Sequence, residues 1–421
     1  MSTTWSLFQF YPRTSVGIAR HFLMEAYEKK HEYSEEEKKL HEYRNRIQEY
    51  EHKLPYGKNW EYYKKAINPY EWVYTQKKYL CFPDSVCLLK PLSRSYFKMI
   101  EILELSHFFD RFPSNSIIRT AHVCEGPGGF IEAIYDEASR GDYRCQLSLA
   151  MTLRSRQSHV PSWKRASQFL KRNRSVQIVY GHDGSGDILK PENQQVFIDQ
   201  LWAESSHQKA DLFTADGGFD VSDHYEKQES LMFPLLMAST KIGLEVLRRG
   251  GMFVLKIFDC YHRATVDLIY FLSCHFEQWT LYKPCMSRPC NPEHYFVGKG
   301  FVGCTEEVFD VMRLWCLMLE NHELLEGLFE EGYLYDPLFI EWMAKHRTNA
   351  FSTQIEYLEK VFGMIDRECL GKELLREELE ENYRHSVEWC HRFRMPTSYP
   401  VLSHSSVVVL QTDLPMLSLP Q

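Results

Sequence analysis

The stretch Cys124-Glu125-Gly126-Pro127-Gly128-Gly129-Phe130 follows a short apolar run, Ile117-Ile118 through Val123, and opens into Phe130-Ile131-Glu132-Ala133-Ile134, which has helix character. A strand, a glycine-rich turn and a helix in that order bring a closely approachable backbone and free helix N–H groups to one point, where a ligand is held. The dinucleotide fingerprint is incomplete, because Ile131 stands where its third glycine belongs, and no Gly-Lys-Ser/Thr follows to make a P-loop. Moving outward, Leu212-Phe213-Thr214-Ala215 reads as a second buried strand, ending at Asp216-Gly217-Gly218. Leu231 to Leu247 predicts a helix with Pro234 in its first turn, which Gly250-Gly251 ends before the strand Met252 to Leu255. Thr265 to Phe276 is a further helical stretch, and Gln278 to Tyr282 and His294 to Val297 are β-rich. Strands separated by helices predict an α/β domain with a parallel sheet and right-handed crossovers.

In an open parallel sheet, ligands bind beyond the C-terminal strand ends. Asp216 ends one predicted strand and Lys256 ends the next. A carboxylate and an ammonium side by side are costly to bury unless paired, so this pair is either part of a site or a buried ion pair supporting the sheet edge.

Several motifs in order resemble the FtsJ-type ribose 2′-O-methyltransferases, in particular the cap-specific mRNA enzymes of eukaryotes and large DNA viruses. They are Glu125 to Phe130, Ala215-Asp216-Gly217-Gly218-Phe219, Leu255-Lys256, and Ser287-Arg288-Pro289 with Asn291-Pro292-Glu293. Ser93 to Met99 resembles the helix carrying the family's first lysine, and Asp183 to Ile188 with Lys190 to Asn193 resembles another stretch of the cap enzymes. The resemblance covers residues 93–303. It implies a Rossmann-like class I sheet, mostly parallel with an antiparallel edge hairpin, and S-adenosyl-L-methionine as cofactor. It also implies a catalytic tetrad at Lys98, Asp216, Lys256 and Glu293. Gly126, Pro127, Gly128, Gly129 and Phe130 fall on the cofactor loop, Asp187 on an acidic residue that contacts the cofactor, and Asn291 on an RNA contact; Arg94, in the lysine helix motif, joins the RNA-facing set. Many relatives carry a small residue where Glu125 stands, so Glu125 is a departure from the pattern.

The chemistry needs those residue types. A ribose 2′-hydroxyl is a weak nucleophile that loses its proton as it attacks, and a lysine at its ordinary pKa of about 10.4 cannot accept that proton at neutral pH. A second lysine, the donor's sulfonium charge and burial are each expected to lower the pKa of Lys256 towards about 7–8, a change worth about 4 kcal/mol. Lys256 is then the general base, Asp216 its orienting partner, and Lys98 and Glu293 fix the geometry. In-line methyl transfer calls for alignment and not for a metal. The Cys pairs 81/87 and 285/290 and the dipeptide Cys390-His391 lack the spacing of a zinc site, so no metal ligand is assigned.

Lys and Arg number 49 against 57 Asp and Glu, a net charge of −8, which excludes a uniformly basic coat but not a local basic groove. Residues 151–175 supply one candidate: Arg154, Arg156, Lys164, Arg165, Lys171, Arg172 and Arg174, with Trp163 and no acidic residue. Arg165 and Lys171 are its named RNA contacts; a solvated basic surface is the alternative. Residues 56–79 interleave Tyr56, Trp60, Tyr62, Tyr63, Tyr70, Trp72, Tyr74 and Tyr79 with lysines, a pattern that either stacks on a methylated guanine or packs a core. Ser34 and Glu37 form a predicted capping box before the apolar stripe Leu40, Tyr43, Ile47, Tyr50 and Leu54, stopped by Pro55.

The domain expectation is a helical, aromatic extension over 1–92, a methyltransferase domain over 93–303, a helical extension over 304–395 and a tail over 396–421. The acidic stretch from Glu323 to Glu341 is a face RNA avoids. The expected function is S-adenosylmethionine-dependent cap ribose 2′-O-methylation of capped mRNA. Alternatives are methylation of internal rRNA or tRNA sites, or a silent RNA-binding scaffold. Capping or transcription machinery is the expected protein partner, through the helical extensions. No apolar run reaches membrane-spanning length, Met1 to Trp5 does not open a secretory signal, and scattered cysteines read as reduced thiols, so the expectation is an intracellular protein: nuclear if cellular, host cytoplasm or virion if viral.

Overall fold

The computed structural model describes residues 9–14, 22, 34–54, 57–75, 84–155, 160–218, 227–321, 323, 325–330, 332–369 and 376–400. Within them, β2 (Ile117–Val123), β3 (Arg144–Met151), β4 (Val176–Val179), β5 (Ala210–Ala215) and β6 (Leu247–Ile257) run parallel. β8 (His294–Phe301) pairs antiparallel with β6, β7 (Phe276–Tyr282) with β8, and the short β1 (Tyr11–Pro12) with β7. The order is β1-β7-β8-β6-β5-β2-β3-β4. The expected antiparallel hairpin is therefore present, but β7 does not end the sheet. Tyr11 and Pro12 cover it, and Trp279 Nε1 donates to the Pro12 carbonyl at 3.0 Å.

Alternation along the central strands feeds two apolar layers. Phe213, Phe253 and Leu255 face the layer made with α6 (Pro191–Glu204), α7 (Gln228–Val246), α8 (Arg263–Ser273) and α9 (Glu306–Glu320). Leu212, Met252 and Val254 face the opposite layer, made with α3 (Ser95–Leu105) and α4 (Gly129–Arg140). Each buried Leu, Ile or Phe contributes about 1.5–3 kcal/mol, so these layers fix the strand ends firmly.

Three strands escape the sequence pattern: the two-residue β1, and β3 and β4, to which the periodicity assigns nothing. Pro234 sits within α7 beyond the first turn where it was expected, and Phe276 starts β7 instead of ending a helix. α1 (Glu35–Glu51) begins with the predicted capping box, Glu37 N–H donating to Ser34 Oγ and Ser34 N–H to the Glu37 carboxylate. Its stripe packs against α10 (Pro337–Cys369), where Tyr50 stacks on Phe362 at 4.3 Å. α10 passes the end of the sheet where Trp342 meets Tyr11 of β1 and Trp279 of β7, so that Phe339 and Met343 join one layer and Leu358 to Ile365 the other. α11 (Arg376–Arg392) follows. Residues 396–400 are tied back, Leu88 N–H donating to the Pro396 carbonyl, while 401–421 of the expected tail lie outside the described residues. Among the described residues, no helix is long and apolar enough to cross a membrane.

Candidate active site

Parallel pairing brings Val123 level with Ala215, and Ala215 level with Leu255, so the chain leaves β2, β5 and β6 at one height. β2 sends its crossover towards β3, and β5 lies on its other side. The strand order thus reverses between them, and the crevice opens there. Asp216 projects from the end of β5, Lys256 from β6 and Glu293 from the residue before β8, while Lys98 reaches in from α3.

These four side chains meet. Lys98 Nζ lies 2.6 Å from Glu293 Oε1, Lys256 Nζ 3.1 Å from Asp216 Oδ1 and 3.9 Å from Glu293 Oε2, and all four are only 11–14% exposed. Tyr295, opposite Lys256 on β8, donates its hydroxyl to Asp216 Oδ1 at 2.7 Å and accepts from Lys98 Nζ at 3.4 Å. It completes the cluster and was not predicted, although a strand's two-residue period places it on the same face as Glu293.

The electrostatics differ from the expectation for Lys256. Burial disfavours its ammonium, but Asp216 and Glu293 outweigh burial and raise the pKa instead of depressing it. Glu293 is disfavoured by burial yet held down at about 2 by Lys98, Lys256 and Lys283. The resting cluster is two ammonium–carboxylate pairs.

Glu125 stands behind Asp216. Its Oε1 accepts from Thr214 Oγ1 at 2.6 Å, and its Oε2 is buried with no hydrogen-bond partner among the described residues. Burial first, and then the Asp216 carboxylate, raise its pKa far above the ordinary value. Thr214 also meets His122 Nδ1 at 2.8 Å; burial lowers His122 to about 3, leaving it neutral.

The turn between β2 and α4 is shaped by close approach. Gly128 has φ +103°, and a Cβ on Gly129 would lie 2.3 Å from the Ser93 and Ser95 hydroxyls, so only glycine lets the lysine helix abut this turn. A Cβ on Gly186 would lie 2.1 Å from the Thr152 carbonyl, which shows how tightly the loops after β3 and β4 meet. Asp187 there uses Oδ1 for the Leu189 N–H at 3.0 Å, leaving Oδ2 without a hydrogen bond among the described residues. The glycine turn, the N-terminus of α4 and a carboxylate oxygen without a hydrogen bond among the described residues suit the carboxylate and amino groups that S-adenosylmethionine carries.

The remaining expected residues are placed variously. Arg94 is committed inward, and this corrects its expected place at the RNA. Its guanidinium donates to the carbonyls of Tyr74 at 2.8 Å, Met286 at 3.0 Å and Tyr70 at 3.3 Å, so it braces the protein. Asn291 lies on the loop leading to Glu293. Lys171 and Arg172 are exposed in the last turn of α5 (Ser167–Arg172), and Lys164 and Arg165 in the turn Trp163–Ala166 before it, whose Trp163 adjoins the cofactor loop; Arg156 lies outside the described residues. Trp163 packs its ring against Gly128. Trp60, Tyr62, Tyr63, Tyr70 and Trp72 are buried, which favours the core reading of the aromatic segment; Tyr56 and Tyr79 lie outside the described residues, as does Phe219.

A doubly wound sheet with this crevice and these loops defines a Rossmann-like methyltransferase architecture. The family model described as FtsJ-like methyltransferase matches residues 91–301. The chain belongs to that family. Among curated relatives, the cap-specific mRNA (nucleoside-2'-O-)-methyltransferase 1 of Xenopus laevis is 29% identical over 304 residues, covering 67% of this chain and 35% of its own. Those of Bos taurus and Homo sapiens are 35% identical over 257 residues and 30% over 264, covering 58% and 60% of this chain and 29% and 30% of theirs. The chain spans about a third of the length of these relatives.

Proposed function

We propose that this chain methylates the ribose 2′-hydroxyl of a cap-proximal nucleotide in capped mRNA, with S-adenosylmethionine as methyl donor. The observation that carries the reading is the meeting of Lys98, Asp216, Lys256 and Glu293 beside the glycine turn. The names of the relatives supply the substrate class.

When bound, S-adenosylmethionine supplies an electrophilic methyl group on a positive sulfonium, whose charge disfavours a neighbouring ammonium. Lys256 gives up its proton to water before the reaction, and its Nζ lone pair then takes the 2′-hydroxyl proton. Asp216, fixed by the Tyr295 hydroxyl, keeps Nζ aimed into the crevice. Lys98, held by Glu293, donates towards the ribose and disfavours a second positive charge on Lys256.

The test is nucleotide mapping by mass spectrometry after incubating the protein and S-adenosylmethionine with matched capped and uncapped transcripts. A 2′-O-methyl group on a cap-proximal nucleotide of the capped transcript alone is the expected result. Equal methylation of uncapped RNA points to internal sites, and RNA binding without methyl transfer points to a scaffold; either outcome overturns the proposal.

A further inference from the structure

We propose that Lys283 is a positioning residue for methyl transfer: its ammonium grips the carbonyls of Asn291 and Glu293 and so sets where Glu293 stands between Lys98 and Lys256. This rests on the functional reading of the four-residue cluster.

Lys283 follows the last residue of β7, and its side chain turns back under the loop that leads to β8. Nζ donates to the Asn291 carbonyl at 2.5 Å and the Glu293 carbonyl at 3.0 Å, with Ser287 Oγ at 3.5 Å. Among the described residues no carboxylate oxygen lies within ion-pair distance of it, so this cation is spent on backbone. The rest of the loop is anchored separately. Glu101, on the lysine helix, accepts from the N–H groups of Cys285 at 2.7 Å and Met286 at 3.0 Å, and Arg288 makes two 3.1 Å contacts to the Glu71 carboxylate. Start and middle are therefore fixed without Lys283. At the end that presents Glu293, Gln354 Nε2 holds the Cys290 carbonyl at 2.6 Å and the His294 ring meets the Pro292 carbonyl at 2.7 Å, while Lys283 alone takes the carbonyls of Asn291 and Glu293 among the described side chains. Its charge also helps to keep Glu293 ionised.

The grip is itself titratable. Burial disfavours the ammonium and brings its pKa down to about 8. The charged and titratable groups facing it are Glu293 and Cys290 from the loop, Lys98 from α3, Asp259 after β6, and His294 and His346, the last from α10. Both histidines are held neutral by burial, so they add no change of charge near pH 8.

The experiment compares methyl transfer by wild type, Lys283→Met, Lys283→Arg and Lys256→Met across pH 6.5 to about 9.5. Lys283→Met is expected to lose about 10²-fold in kcat, the effect of a displacement of about 1 Å, with KM for both substrates changed less than about threefold. Wild-type kcat is expected to fall above about pH 8 as the grip loses its charge; in Lys283→Arg, partly active, that falling limb is absent. Wild-type kcat in Lys283→Met overturns the proposal, as do superimposable alkaline limbs in wild type and Lys283→Arg. The second comparison decides the matter if the Met variant fails to fold. An active Lys256→Met would instead bring down the functional reading, while inactive Lys256→Met beside fully active Lys283→Met would bring down only the grip.

Discussion

At the scale of single residues, Lys256 carries the sharpest test, because its two readings part on one substitution. As an ion-pair partner of Asp216 it is replaceable by arginine, which keeps the charge. As a base it is not, because a guanidinium keeps its proton at every accessible pH. Lys256→Arg is therefore expected to lose methyl transfer by at least about 10²-fold while binding S-adenosylmethionine and RNA as before, measured by initial rates and by calorimetry. Substantial activity in that variant would remove Lys256 from the chemistry. Glu125 offers a second test through stability. Its folded pKa is raised above the unfolded value, so its contribution is fully present below the unfolded pKa near 4.3 and is lost as pH rises through the folded one. Glu125→Gln should accordingly gain melting temperature on the wild type between pH 5 and pH 8; a constant difference across that range refutes the raised pKa of Glu125. Asp216 and Lys256 were legible in the sequence from strand ends as well as motifs, whereas Lys98, on a helix, and Glu293, before a strand, were pointed to by the motifs alone. Tyr295 and Lys283 were not, since a strand tyrosine and a loop lysine acquire meaning only from what they face. Arg94 shows the reverse: a basic residue beside a motif turns out to brace backbone carbonyls.

Elements tell a similar story. β2, β5 and β6 were visible as apolar runs ending in glycine or charge, and α1 by its cap. β3 was hidden because its buried half, Leu147-Ser148-Leu149-Ala150-Met151, mixes small and polar residues, and Ser148 meets Thr120 across the sheet at 2.6 Å. β4 is four residues long, and the expected basic groove fills the interval between the two strands. In the fold, that interval becomes the α5 region, one strand beyond the glycine turn, roughly 5 Å further along the sheet per strand. Exposed Lys164, Arg165, Lys171 and Arg172 there make no ion pair among the described residues. If they contact phosphates, replacing all four with Gln lowers the slope of log K against log salt by roughly 0.7 for each contact on single-stranded RNA, and leaves cofactor affinity unchanged. Binding measured from 50 to about 200 mM salt decides this, and an unaltered slope identifies the segment as solvated surface.

At the scale of the whole molecule, the helices outside the family match are joined to the site through buried charge. Glu101, one turn along the helix from Lys98, takes the Trp389 indole N–H of α11 at 3.0 Å as well as its loop donors. On the other side, Arg44 of α1 makes two 2.8 Å bonds to Asp259, which follows β6 three residues after Lys256, and a third to Gln354 of α10. Arg44 and Asp259 are 6% and 7% exposed, so the pair has been taken out of water. Such a pair adds little net stability when intact, yet losing one partner strands a charge, at a cost of about 3–5 kcal/mol. Arg44→Met should lower the free energy of unfolding in urea by that amount. If α1 and α10 fold as one unit with the sheet, the variant keeps a single transition with an unchanged m-value, because the same surface is exposed in one step. A separate early transition for the helices, with the sheet melting as in wild type, would show instead that they are an appended layer, and that Asp259 is anchored by the sheet alone.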